Sequence, residues 1–254
     1  MYKKIIFSLL IIILVGGATM VVSANHSWGG YHWARSSNPF TLKLGDNVSG
    51  VWDSSLALAS SDWSLSSVLD TLVVSGSTNP KNCRAVSGRV EICNSKYGNN
   101  GWLGIASVWA SGTHITQSTV KLNDTYFNTT KYNTPAWRNL VTCQEIGHAF
   151  GLGHQDEEFS NANLGTCMDY TNDPGSNQHP NAHDYEMLES IYAHLDSSTT
   201  IKQESTGKNG LDVDENDPSS WGKSLKESSN KRSSLYERDF GNGDKIFTFV
   251  IWAE

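Results

Sequence analysis

Between residues 144 and 154 the chain reads QEIGHAFGLGH. Residues four apart lie on one face of an α-helix, so the side chains of Gln144 and His148 can point at one ion. Glu145 lies one step round the helix, where its carboxylate can contact a water molecule at that ion without being a ligand. Gly151 can leave the right-handed helix without a Cβ penalty, and a turn there would bring His154 to the same ion. The spacing therefore predicts an open metal site with two histidines, one further ligand and a water position.

The sequence before this motif predicts the helix that carries it. Thr134 can cap the helix, and Pro135 suits its first turn. A start near Pro135 and an end near Gly151 give about four to five turns at about 3.6 residues per turn. The apolar side chains that can face a core are Trp137, Leu140, Val141, Ile146 and Phe150.

The motif resembles the zinc-binding signature H-E-x-x-H-x-x-G-x-x-H of the metzincin metallopeptidases, with Gln144 in place of the first histidine. Residues 165–170 read GTCMDY and resemble the Met-turn of that clan, in which a methionine, here Met168, lies beneath the metal. Tyr170 lies where several metzincin families have a tyrosine that binds the metal or stabilises the transition state. The alternative for Tyr170 is a buried tyrosine with a locally bonded hydroxyl.

Two further segments resemble parts of the metzincin fold. Residues 101–109 look like the edge strand with which an extended substrate pairs, although an ordinary sheet strand is the alternative. After the Met-turn, apolar residues recur at helical spacing and match the C-terminal helix of the clan. They are Tyr185, Leu188, Ile191, Tyr192 and Leu195.

The resemblance implies an α+β fold with an N-terminal twisted mixed sheet and helices, a zinc helix, a Met-turn and a C-terminal helix. It also implies a zinc-dependent metalloendopeptidase that acts on a peptide or protein substrate. His148 and His154 would hold Zn2+ with Gln144 as a weak third ligand, Glu145 would be the general base, and Tyr170 would help to stabilise the oxyanion. The alternative is a non-catalytic binding protein on the same fold, and a hydrolase of another class ranks third.

Gln144 leaves three interpretations of the metal site open. In the first, its side-chain carbonyl binds the metal weakly, because amide oxygen suits harder cations better than zinc. In the second, another residue is the third ligand, and the unassigned candidates are His114, His179, His183 and, less suitably placed on the helix, Cys143. In the third, the site is vestigial, although the presence of Glu145 argues against this since a dead site needs no base.

The N-terminus predicts export. Lys3 and Lys4 precede an apolar run, and residues 22–24 fit a small-residue cleavage site, so residues 1–24 are expected to be a signal peptide. The alternative is an uncleaved N-terminal membrane anchor, since the apolar run is near the lower length limit for a span. We therefore expect a secreted protein that has no stable membrane association once the signal is cleaved.

Export changes the interpretation of the four cysteines, since an even number in a secreted chain suggests disulfides. Four cysteines allow three pairings, of which we favour Cys83 with Cys93 and Cys143 with Cys167. The first pair would close a short local loop, and the second would join the zinc helix to the Met-turn. Buried free thiols are the alternative, and they are less common outside the cytosol.

Residues 25–196 are expected to form one domain, 197–218 a linker or loop, and 219–254 a short β-rich segment. Within the domain, residues 54–69 resemble a first helix or helix pair, and residues 71–74 and 89–92 look like strands. Residues 245–252 are strongly β-prone and should dock somewhere, although the sequence does not say where. The net charge of −7 and the lack of a basic patch argue against nucleic acid as a partner.

Overall fold

The computed structural model describes residues 25–201 and 211–254. The expected signal peptide, residues 1–24, lies outside the described residues, as does part of the expected linker. The strands are β1 (His32–Trp33), β2 (Phe40–Asn47), β3 (Leu69–Ser75), β4 (Arg89–Ser95), β5 (Trp102–Ser111), β6 (His114–Asn123), β7 (Lys223–Glu227), β8 (Ser233–Asp239) and β9 (Asp244–Trp252). The α-helices are α1 (Asp53–Trp63), α2 (Asp124–Phe127), α3 (Pro135–His148) and α4 (Ala182–Ile191). In the two described ranges, no helix combines the length and the apolar character that crossing a membrane requires.

One mixed sheet runs through the described chain. Its strand order is β3-β2-β4-β6-β5-β9-β8-β7, and β1 pairs with β6 outside this path. Strand β2 pairs in parallel with β3 and β4, and β6 pairs in parallel with β4 and β1. The pairs β6–β5, β5–β9, β9–β8 and β8–β7 are all antiparallel. The sheet therefore has a parallel half and an antiparallel half, which meet between β6 and β5.

Helices α1 and α3 pack together on one face of the sheet, with α1 against β3 and α3 against β5 and β6. On the opposite face, Trp221 packs with Trp102 and Trp109 of β5. Strand β5 is therefore buried on both faces, as its nearly continuous apolar sequence suggests. The α+β class predicted from the sequence is confirmed, and the elements follow in the expected order of mixed sheet, motif helix, Met168 turn and second helix.

Helix α3 begins as the sequence predicts. The Thr134 side chain accepts a hydrogen bond from the Trp137 backbone N–H, and Pro135 is the first helical residue. The helix ends at His148, somewhat before Gly151, which has a φ of +101°. A Cβ at Gly151 would lie 2.4 Å from the backbone oxygen of Tyr31, so only glycine fits there.

The disulfides join Cys83 to Cys93 and Cys143 to Cys167, which are the pairs favoured from the sequence. The second bond ties α3 to the turn that contains Met168. In the chain-entropy model, closing its 24-residue loop contributes about 3 kcal/mol to stability.

The first helix is shorter than expected, because α1 ends at Trp63 and Leu69 already belongs to β3. The Ser64 hydroxyl donates a hydrogen bond to the Ser60 backbone oxygen at the end of α1. Serine side chains compete in this way with helical backbone bonds, which fits a helix end in this serine-rich segment.

The helix after the Met-turn is also shorter than the apolar pattern in the sequence predicts. Helix α4 ends at Ile191, and Leu195 is 57% exposed instead of packing in the core. Two bonds to Arg35 hold the chain after α4 off the helical path. The Arg35 guanidinium donates to the His194 backbone oxygen. The Asp196 backbone N–H donates to the Arg35 backbone oxygen at 2.9 Å.

The C-terminal segment adds β7, β8 and β9 to the same sheet. Strand β9 pairs with β5 along almost the whole length of β5, from Trp102 to Ser111. The expectation that residues 101–109 form an open edge strand is therefore wrong, because β9 occupies that edge. Just before this segment, in the expected linker, buried Glu215 pairs with Lys121 of β6 and accepts a hydrogen bond from Ser107 Oγ at 2.8 Å, so this part of the chain is also anchored on the sheet.

We predict that replacing Gly151 with alanine destabilises the fold more than replacing Gly98 with alanine. The two glycines have φ values of +101° and +99°, so both variants lose about 1–2 kcal/mol to the backbone conformation. A Cβ at Gly98 meets nothing within 4 Å, whereas at Gly151 it would collide with the Tyr31 oxygen. Urea unfolding followed by circular dichroism measures both losses, and equal losses would contradict a role for this close approach.

Candidate metal centre

His148 lies at the end of α3 with a buried side chain. Its Nδ1 is 2.8 Å from the Leu152 backbone oxygen, and because a carbonyl only accepts, Nδ1 carries the proton. The lone pair is then on Nε2, which is free to bind a metal. Burial lowers the pKa of His148 well below its usual range, and His154 nearby lowers it further. His148 is therefore neutral, which is the form that binds metals.

The turn at Gly151 brings His154 to His148, and the two ring centroids are 4.5 Å apart. The Nδ1 atom of His154 lies 2.9 Å from the Tyr170 hydroxyl and 3.8 Å from the Glu157 carboxylate. Its Nε2 is the ring nitrogen left for a metal. Burial lowers the pKa of His154, although the nearby Glu157 carboxylate opposes this effect.

Gln144 is buried on the same helix, and its amide is oriented by one hydrogen bond. Its Nε2 donates to the Cys167 backbone oxygen at 2.9 Å, while its Oε1 has no hydrogen-bond partner among the described residues. An unsatisfied buried oxygen costs about 1–3 kcal/mol, which a bound cation would offset. The arrangement fits an amide oxygen that serves as a weak metal ligand.

Glu145 is pressed against β5. A Cβ at Gly104 would lie 3.1 Å from both Cγ and Oε1 of Glu145, so a side chain at position 104 would crowd the carboxylate. The other carboxylate oxygen, Oε2, is buried and has no partner in the described chain. Burial raises the pKa of Glu145 well above its usual range, and a hydrogen bond with the Ala106 backbone only partly opposes this. A cation beside this carboxylate would favour its charged form.

Met168 and Tyr170 belong to the turn that follows the motif. Met168 is fully buried, and its sulfur would be 2.5 Å from a Cβ at Gly147, so a glycine there lets the Met168 turn pack close to α3. Tyr170 is buried, its hydroxyl bonds to His154, and its ring stacks on Phe159 with centroids 4.7 Å apart. Burial raises the pKa of Tyr170 well above its usual range, with Glu157 adding to the effect, so the hydroxyl stays protonated.

The residues considered as alternative third ligands lie elsewhere. His114 lies beside Asp196, His179 lies 2.7 Å from the Asp62 carboxylate, and Cys143 is in a disulfide. The His183 ring packs against His26, with centroids 5.0 Å apart. Within residues 25–201 and 211–254, no third His, Cys, Asp or Glu side chain joins His148 and His154 in a ligand group.

Strand β9 covers the site. Phe249 lies opposite Ala106 in the β5–β9 register, and its ring stacks on His148 at 4.1 Å with an angle of 12° between the planes. Phe249 is only 2% exposed. The strand edge expected to bind substrate is therefore occupied by this chain's own C-terminal strand, directly over a predicted metal ligand.

A cavity of about 490 Å³ opens beside the covered site. Of the predicted site residues, all of which are described, only His154 and Tyr170 line it. Its other walls include side chains that the sequence did not assign to the site, namely His26, Glu157, Lys226 and Phe249. Glu157, which bonds to Lys226 at 2.7 Å, lies close to the motif in sequence, whereas nothing in the sequence pattern links His26 or Phe249 to the site.

The sequence matches no protein-family model, and no curated protein matches it. Similar solved structures include myroilysin, with 12% identity and a TM-score of 0.37 over 63% of this chain and 82% of that chain. Another is high choriolytic enzyme 1, a hatching enzyme zinc-protease from the medaka fish Oryzias latipes. It has 9% identity and a TM-score of 0.36 over 65% of this chain and 96% of that chain. Because these values are low, the roles of residues in this chain rest on its own geometry.

We predict that Gln144→Leu weakens zinc binding at this site and that Gln144→His strengthens it, each by at least about tenfold, because imidazole suits zinc better than amide oxygen does. Calorimetric titration of the metal-free protein measures both effects. Thr142→Val is the matched control, since Thr142 is on the same helix and its buried hydroxyl also has no partner in the described chain. Residue 142 lies about 200° round the helix from residue 144, so this control should bind zinc normally. Unchanged affinity in both Gln144 variants would exclude Gln144 as a ligand.

Proposed function

We propose that this protein is a secreted zinc-dependent metalloendopeptidase of metzincin type that hydrolyses peptide bonds. The proposal is supported by one arrangement, in which the His148 and His154 rings lie 4.5 Å apart at the end of α3 while the buried Gln144 Oε1, one helical turn before His148, has no partner among the described residues. The two disulfides are consistent with an extracellular protein, and the signal-like N-terminus supports secretion.

His148, His154 and Gln144 would hold the metal, which when bound supplies a Lewis acid that lowers the pKa of water and polarises the scissile carbonyl. Glu145 takes a proton from the attacking water and passes it to the leaving amine. The Leu152 carbonyl holds His148 with its lone pair on Nε2. With its Nε2 on the metal, His154 donates from Nδ1 to the Tyr170 oxygen, and the Tyr170 hydroxyl proton would then be available to the developing oxyanion.

Peptide access requires a change at β9. In this structure Phe249 lies on His148, and β9 fills the β5 edge with which an extended peptide would pair. Glu145 is 1% exposed, so substrate cannot reach it in this arrangement. The proposed enzyme is therefore latent in this arrangement, and β9 has to move before substrate binds along β5.

The second candidate is a non-catalytic binding protein with a degenerate metal site. The cover over His148 favours it, because a site that is never used can remain closed. The buried Glu215–Lys121 pair, which anchors the chain just before the C-terminal segment, favours this candidate as well. On this hypothesis, the sheet has simply been extended by β9, and ligands bind elsewhere.

The two candidates differ in metal content and in hydrolysis. As an enzyme, the purified protein should lose one equivalent of zinc on His148→Gln and should cleave unfolded protein. Glu145→Gln should lower the cleavage rate by at least about 100-fold and leave the zinc content unchanged, because the general base is lost and the ligands are kept. Zinc content is measured by mass spectrometry and cleavage with a fluorogenic protein substrate. Protein that lacks zinc at this site and gains both zinc and cleavage with Gln144→His would instead identify a decayed site.

Phe249→Leu should open the site by removing the ring from His148. We expect zinc to pass to an added chelator several-fold faster than from the wild type, and peptide cleavage to increase. Phe247→Leu is the matched control, because Phe247 lies on the same strand and also contacts Trp28, whereas its other aromatic contact is Tyr31 and not His148. Equal chelation rates in the two variants would show that Phe249 does not guard the metal.

A further inference from the structure

A second group of metal-binding side chains lies away from the motif, where β1 meets the start of β6. Strands β1 and β6 are parallel, and His32 is the register partner of His114. The chain that follows α4 brings His194 and Asp196 to the same place. Among the described residues, His32, His114 and Asp196 are the group whose ligand atoms lie mutually within 4.8 Å.

The distances around Asp196 Oδ1 are close to the edges of a metal tetrahedron, and His194 lies outside the group of His32, His114 and Asp196 whose ligand atoms are all within 4.8 Å of one another. Asp196 Oδ1 lies 3.5 Å from His32 Nε2, 3.2 Å from His114 Nε2 and 3.7 Å from His194 Nε2. The Nε2 atoms of His194 and His32 are 3.1 Å apart. Ligand atoms on a tetrahedral zinc ion, bound at about 2.0–2.1 Å, are separated by about 3.3 Å.

The surrounding groups orient the ligand atoms inward. Nδ1 of His32 lies 2.9 Å from the Gly30 backbone oxygen and donates to it, so a neutral His32 turns the lone pair of Nε2 toward Asp196. The other carboxylate oxygen of Asp196, Oδ2, accepts from Arg35 Nη1 at 2.9 Å and from Arg35 N at 3.2 Å. Partners of this kind fix ring tautomers and carboxylate orientation around metals.

The geometry points to a zinc-binding site formed by His32, His114 and Asp196, separate from the motif site, with the exposed His194 beside it. Two imidazoles and one carboxylate suit zinc, and they leave a fourth position that water or the neighbouring His194 can take. The site joins β1 and β6 to the chain after α4. Bound zinc would cross-link these three segments whether or not the motif site is active.

A zinc titration in the full-length His148→Gln variant isolates this site, because the motif site has then lost a ligand. The chelator-treated variant should still bind one zinc per chain. Adding His114→Ala should weaken that binding by at least about 100-fold, since it removes one of three ligands. Cobalt in the same variant should give the strong visible absorption of a tetrahedral ion, and His114→Ala should abolish it.

His179→Ala is the matched control, because His179 also pairs with a carboxylate, that of Asp62, but lies outside the group. It should leave zinc affinity and the cobalt spectrum unchanged. Asp196→Asn provides a second ligand variant, because it keeps the shape of the side chain and replaces the charged ligand oxygen with a neutral amide. A His148→Gln protein that binds no zinc, or whose zinc is insensitive to both ligand substitutions, would overturn the proposal and leave a hydrogen-bonded histidine cluster.

Discussion

The motif site depends on how closely α3 approaches its two neighbours. Gly104 leaves β5 without a side chain where the Glu145 carboxylate packs, and Gly147 leaves α3 without one where the sulfur of Met168 packs. Each contact would be filled by a single Cβ, so the helix is held between the strand and the Met168 turn. The Cys143–Cys167 disulfide maintains the second contact. The directions of the side chains at positions 144, 145 and 148 follow from this placement.

The motif could be predicted from the sequence because it depends on local geometry. The helical period places positions 144 and 148 together, Thr134 marks the start of α3, and the glycine at 151 sets the turn that brings His154 back. Once export was inferred, the disulfides could be predicted too, because one closes a short loop and the other joins the motif helix to the Met168 turn. Gln144 could not be resolved in this way, because its role depends on whether its oxygen has a donor, and that is decided by residues distant in the chain.

The incorrect expectation, an open edge at residues 101–109, concerned long-range pairing. The same sequence can form an edge strand or a central strand, and the docking of β9 makes β5 a central strand. Two signals pointed to the answer: the nearly continuous apolar run of β5, which is typical of a strand buried on both faces, and the apolar strand at 245–252 that needed a partner. The ligand group around Asp196 had no such signal, since its members lie in separate parts of the sequence with no motif spacing.

The N-terminal residues link the two candidate metal sites. The Trp28 indole donates to the His148 backbone oxygen at 3.1 Å, and the Trp33 indole donates to that of Ala149 at 2.8 Å. These carbonyls are at the C-terminal end of α3, where the helix itself supplies no partner, so the two tryptophans cap it. His32 lies between them in sequence and reaches the Asp196 group on the opposite side of the segment. An ion held there would fix the position of both indoles, and since α3 ends at a predicted ligand, order at the second site would stabilise the geometry of the first.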